Sequence, residues 1–187
     1  MSEFENISVL LSIIIGLGVT QLLSGFARLL RDGRELGGAW WIFVIIATLL
    51  LADFQVWWVS FGWQRITEWT FFGYIAYLVL PVILYLLAYL VLPADLHLNG
   101  NELVRAFIAK RKPFFVLIML IAPASFFQQW MLVRDIRADL DSGLRLLWIV
   151  LAIPGYLSQR AAVQAAIAIA SLVLLTIYIT LLFVRIH

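Results

Sequence analysis

At 187 residues the chain is long enough for one soluble domain, but 64% of it is hydrophobic, only 13% is charged, and its mean hydropathy is +1.02. Those proportions exclude an ordinary soluble globular domain and define an integral membrane protein. The pI of about 9.2 rests on a formal net charge of only +2, and the basic residues flank apolar runs, so the charge pattern speaks for topology in a bilayer and against nucleic acid as a partner.

A bilayer core needs about 20 apolar residues per helix and accepts roughly 17 to 25. Runs of that kind lie at about residues 7–30, 39–63, 69–92, 113–133, 144–159 and 161–185, which predicts an all-α polytopic bundle of six transmembrane helices in a single membrane domain over 1–187. The fifth run is short and interrupted by Pro154-Gly155, so five spans is the alternative. The start, MSEFENIS, is acidic where a secretory signal is basic and no small-residue cleavage site follows, so the first helix is expected to stay in place.

The first run, SVLLSIIIGLGVTQLLSGFARLLRD, carries a line of small or hydroxylated residues at every fourth position: Ser8, Ser12, Gly16, Thr20 and Ser24. Lipid tails offer no hydrophobic reward for helix association, so close approach depends on such residues, and the line is expected to be a packing seam within the subunit or between copies in a homo-oligomer. Gln21 lies beside it, and Arg28 is near enough to the end of the span to snorkel.

The second run contains the residue hardest to explain as scaffold. Asp53 sits near the middle of TLLLADFQVWWVSFGWQR, where a carboxylate costs about 2.5 to 3.5 kcal/mol on insertion scales and needs a cavity or a partner. Helical spacing puts Trp57, Ser60 and Gln64 on the same face, a stripe expected to line a pathway toward it. Counting depth at about 1.5 Å per residue places Tyr77, Ser125, Gln128 and Gln21 within reach of that level and Arg28 far from it. Asp53 with these neutral neighbours is therefore the candidate site for a proton or small cation.

Pro81, Pro123 and Pro154 interrupt the third, fourth and fifth runs, and the third also carries Tyr74, Tyr77, Tyr85 and Tyr89. Between the third and fourth, Asn101 is expected to cap a short amphipathic helix over about 102–112, with Leu103 and Phe107 on one face. Its Arg105, Lys110, Arg111 and Lys112 form a basic collar suited to anionic lipid headgroups. Trp40, Trp41, Trp63, Trp69, Trp130 and Trp148 fall near span ends and are expected to anchor at the interfaces.

Six spans put both termini on one side. That side collects Arg65, Arg134, Arg137, Arg145 and Arg185, whereas the other collects Arg28, Arg31, Arg34, Arg105, Lys110, Arg111, Lys112 and Arg160, so the termini are expected outside the cytoplasm, in an inner or plasma membrane.

The two histidines, His97 and His187, lie outside the spans and there is no cysteine, so neither axial haem ligands nor a metal site is expected. No phosphate-binding loop, dinucleotide fingerprint or activated serine is present, and no cofactor or enzymatic activity is expected. Two functions compete: an oligomeric proton or cation channel or carrier built on Asp53, and a non-catalytic interaction, sensing or scaffold subunit that binds partner proteins or lipids. A lipid or quinone between helices is a third reading, for which the sequence offers no headgroup site.

Overall fold

The computed structural model describes residues 3–31, 37–66, 68–92, 99–134 and 139–182. They form six α-helices, α1 (Glu3–Arg31), α2 (Trp40–Ser60), α3 (Phe71–Val91), α4 (Gly100–Val133), α5 (Leu140–Leu157) and α6 (Ala161–Leu182), with no strand among the described residues. All six are long and apolar enough to cross a membrane. The six-span reading therefore holds, and α5 runs through Pro154-Gly155 rather than turning back. The last residues of the expected sixth span, 183–185, lie outside the described residues.

Short polar signals start these helices. The Thr70 hydroxyl accepts from the Gly73 amide at 3.1 Å and opens α3, and the Asp139 carboxylate accepts from the Ser142 amide at 3.0 Å and opens α5. At α4, Asn99 and Glu102 satisfy each other's backbone amides in a capping box, so the cap is Asn99 and not Asn101, which lies inside the helix. Arg134 ends α4 in the left-handed region at φ 55°. Between α5 and α6, the Gln164 amide donates to the Gly155 and Ser158 carbonyls at 3.0 and 2.8 Å and closes the turn.

Residues 102–112, expected as a separate helix in the interface, are instead the first turns of α4. That helix has 34 residues and is about 51 Å long against a hydrocarbon core of about 30 Å, so it overshoots the membrane. The apolar face that was to lie on lipid has a better place: Leu103 and Phe107 are buried, with Phe107 edge-on to Trp41 at 5.1 Å. Trp41 is thus part of the core and not an interface anchor, while Trp40 and Trp130 are exposed.

Packing follows a ring. Helix α3 packs on α4, α4 on α5, α5 on α6, α6 on α2 and α2 on α3, and α1 lies outside against α2 and α3. An odd number of alternating helices cannot close a ring without one parallel pair, and here that pair is α2 and α6. On the side away from the termini the ring is filled by Trp41, Phe107, Phe114 and Phe115, whose rings meet edge-on at 5.1 to 5.4 Å. Gly155 lies directly against the Phe115 ring.

Helix α1 docks through Leu11, Ile15, Gly18, Leu22, Gly25 and Leu29, an alternation of four and three residues that keeps one stripe facing its neighbours. This corrects the expected seam within the subunit: Ser12, Gly16 and Thr20 are exposed, and Ser8 and Ser24 only half-buried. The hydroxyls need no neighbouring helix, because Ser12 donates to the Ser8 carbonyl at 2.6 Å and Ser8 to that of Glu5 at 2.8 Å. The small residues that permit close approach are Gly18, beside Asp53, and Gly25, beneath the Leu92 side chain.

Gly155→Ala should destabilise the detergent-solubilised protein by about 1 to 3 kcal/mol through overpacking against Phe115, read as a lower thermal unfolding temperature. Gly16→Ala, with open space around its Cα, should leave it unchanged or raise it slightly.

Candidate functional site

The interior of the ring holds a cavity of about 300 Å³ on the terminal side of the aromatic plug. Every ring helix contributes to its wall, and Leu11 of α1 closes the gap between α2 and α3. A smaller space of about 40 Å³ continues beyond it toward Phe114 and Phe115, sharing Thr48, Leu49, Ile118 and Trp148 as walls. The deep wall is apolar, with Leu49, Leu84, Ile118 and Ile121, whereas polar side chains gather toward the ends of α4 and α6 and the start of α5.

Those polar groups form a bonded cluster. Asp141 and Arg145 stand one turn apart on α5, and the guanidinium grips the carboxylate side-on, Nε donating to Oδ1 at 3.0 Å and Nη2 to Oδ2. Nη1 donates to the Gln129 side-chain oxygen on α4 at 2.9 Å, and the Tyr178 hydroxyl on α6 donates to Asp141 Oδ1 at 2.7 Å. The guanidinium also lies 5.6 Å from the Phe126 ring centre. Just outside, the Ser142 amide that caps onto Asp139 holds that carboxyl below its ordinary range, and Arg145 adds to the effect. The cluster joins α4, α5 and α6 at the terminal end of the cavity, and Gln55, Ser125 and Gln128 also line the space.

Of the residues singled out in the sequence, Tyr77, Ser125 and Gln128 line this cavity, but Asp53 does not. Asp53 is 1% exposed and points at α1, where the absent side chain of Gly18 makes room for its carboxylate. Its oxygens accept no hydrogen bond, so the expected group with Tyr77, Ser125, Gln128 and Gln21 does not assemble around it. Gln21 is half-buried on α1.

The stripe is corrected for the same reason. Ser60 is buried and donates to the Trp57 carbonyl at 2.6 Å, Gln64 is exposed, and none of Trp57, Ser60 and Gln64 lines the cavity. The face of α2 that does is Thr48, Leu49, Ala52, Gln55, Val56 and Val59, centred about 100° around the helix from Asp53 at 100° per residue. The collar is also divided. Arg105 and Lys112 are exposed and Lys110 half-buried, but Arg111 is buried and returns Nη1 to the Ile108 carbonyl at 2.9 Å. Among the described residues no cluster of acids or histidines is placed to hold a metal ion.

Sequence reasoning missed Asp141, Arg145, Gln129 and Tyr178. Asp141 falls in a polar connector and Arg145 in a tally of topology charges when the span is begun at its first apolar residues. Beginning the helix at the Asp139 cap places Asp141 and Arg145 four residues apart on one face, a spacing that favours pairing. Trp63 and Trp148, expected as interface anchors, are cavity walls.

No protein-family model, no curated protein and no solved structure matches this chain. The six apolar helices make it a multi-pass membrane protein, and its function is read from the cavity.

Removing either half of the clamp strands the other, so Arg145→Met and Asp141→Leu should each lower stability, by about 1.5 to 3 kcal/mol for a hydrogen bond to a charged group. In a double-mutant cycle the combined variant should lose less than the sum, and strict additivity in thermal or denaturant unfolding would show that the pair is not coupled.

Proposed function

We propose that this protein binds a small amphipathic molecule inside its helix ring, as a membrane carrier or sensor rather than an enzyme. The supporting observation is one cavity with two chemistries: a mouth ringed by Arg145, Asp141, Gln129 and Tyr178, and a body walled by Leu49, Leu84, Ile118 and Ile121. Its volume of about 300 Å³ lies at the lower end for small-molecule sites, which suits a single ring system or chain and not a whole two-chain lipid. The head lies among hydrogen-bonding groups near the membrane surface and the tail among side chains at depth.

In this reading the termini lie outside the cytoplasm, so the mouth faces that side. The basic side chains Arg105 and Lys112 then stand over anionic headgroups of the opposite leaflet. The exposed line Ser12, Gly16 and Thr20 is the surface available to a second copy in a homo-oligomer.

Trp148 and Trp63 line the cavity and report its contents. With the protein in phosphatidylcholine nanodiscs, a bromine-tailed amphiphile should quench part of the tryptophan fluorescence saturably, and Ser125→Phe, which fills the space, should abolish that component. Quenching that stays linear in probe, or is indifferent to Ser125→Phe, would sink the binding reading.

A second reading keeps Asp53 as a proton or cation site, favoured by its burial without any donor. It expects proton or cation flux in proteoliposomes that Asp53→Asn removes while the helical content is retained. Absence of flux above empty liposomes makes Asp53 a packing residue beneath α1.

A further inference from the structure

We infer that the head of the bound molecule is neutral and carries a carbonyl, of the ester, amide or quinone class, rather than a carboxylate, a phosphate or an amine. This inference rests on the proposed occupancy of the ring cavity and concerns what its mouth selects.

The charged side chains lining the cavity are one of each sign, Asp141 and Arg145, and they are bonded to one another. Asp139 stands just outside, close enough for Arg145 to act on its carboxyl. The two charges on the described lining therefore cancel. An anionic head would leave water to join a lining whose one guanidinium, among the described residues, is already paired, and the loss of hydration would not be returned. A cationic amine meets a different obstacle, because the Asp141 oxygens already accept from Nε and Nη2 of Arg145 and from the Tyr178 hydroxyl.

What remains at the mouth is hydrogen-bonding capacity without charge. Of the five guanidinium N–H groups, three donate to Asp141 and Gln129, so the guanidinium keeps donor capacity beyond its clamp. Gln129, whose oxygen accepts from Arg145, also carries two amide N–H donors on this wall. Gln128, 7% exposed, and Ser125 add neutral groups on the same wall. Donor-bearing side chains on the wall of a mostly apolar space call for a carbonyl oxygen, whose desolvation is modest and whose lone pairs fit them.

The test compares an ω-bromo fatty acid with its methyl ester near neutral pH in the same nanodiscs. Bound fraction is plotted against probe concentration in the bilayer, measured with protein-free discs, so that partitioning cancels. The expected result is saturable quenching by the ester at about a tenfold lower bilayer concentration than by the carboxylate, with Gln129→Leu weakening the ester and narrowing the gap. Equal or tighter binding of the carboxylate overturns the neutral head while leaving the cavity occupied. If neither probe saturates, the occupancy itself fails, and the inference with it.

Discussion

Arg145 cannot sit one turn inside a membrane helix without partners, and satisfying it organises half of the molecule. A lone guanidinium there would have to bring water with it or leave its donors unmet. Here three of its five donors are met, two by Asp141 on α5 and one by Gln129 on α4, and Tyr178 on α6 donates to the same Asp141 carboxylate. The bonds span the ring wall instead of its centre, so the clamp holds α4, α5 and α6 in an arc and leaves the interior open.

Elsewhere the helices are held by shape. Lipid and protein are equally apolar to a leucine, so helices gain from contact chiefly where backbones come close and side chains interlock. Gly155 against Phe115, Gly25 beneath Leu92 and Gly18 beside Asp53 are such points, and each lies where a second helix has a bulky group to place. On the side away from the termini, a chain of edge-on rings runs from Trp41 through Phe107 and Phe114 to Phe115. The cavity is what remains between a polar clamp at one end and an aromatic plug at the other.

Asp53 shows how burial and function separate. A carboxylate at depth signals function by default, yet this one is turned about 100° away from the cavity and covers a glycine of α1. The groups that do line the cavity include an acid and a base whose charges cancel, and such a pair leaves little trace in a hydropathy profile.

Six spans, their approximate limits and the membrane class were legible in the sequence, because apolar length and the internal satisfaction of backbone hydrogen bonds belong to each helix alone. Tyr77, Ser125 and Gln128 were placed at a useful depth, since rise per residue needs no knowledge of neighbours. The rotation of each helix about its axis was decided only in the tertiary structure. It turned the line from Ser12 to Thr20 outward, carried Asp53 off the cavity, drew Leu103, Phe107 and Arg111 into the bundle and brought Arg145 to Gln129 and Tyr178. The physical reason is that core and lipid reward the same apolar residues, so a helix's own pattern cannot say which face is inward until its neighbours supply the glycines, rings and hydrogen-bond partners that fit it.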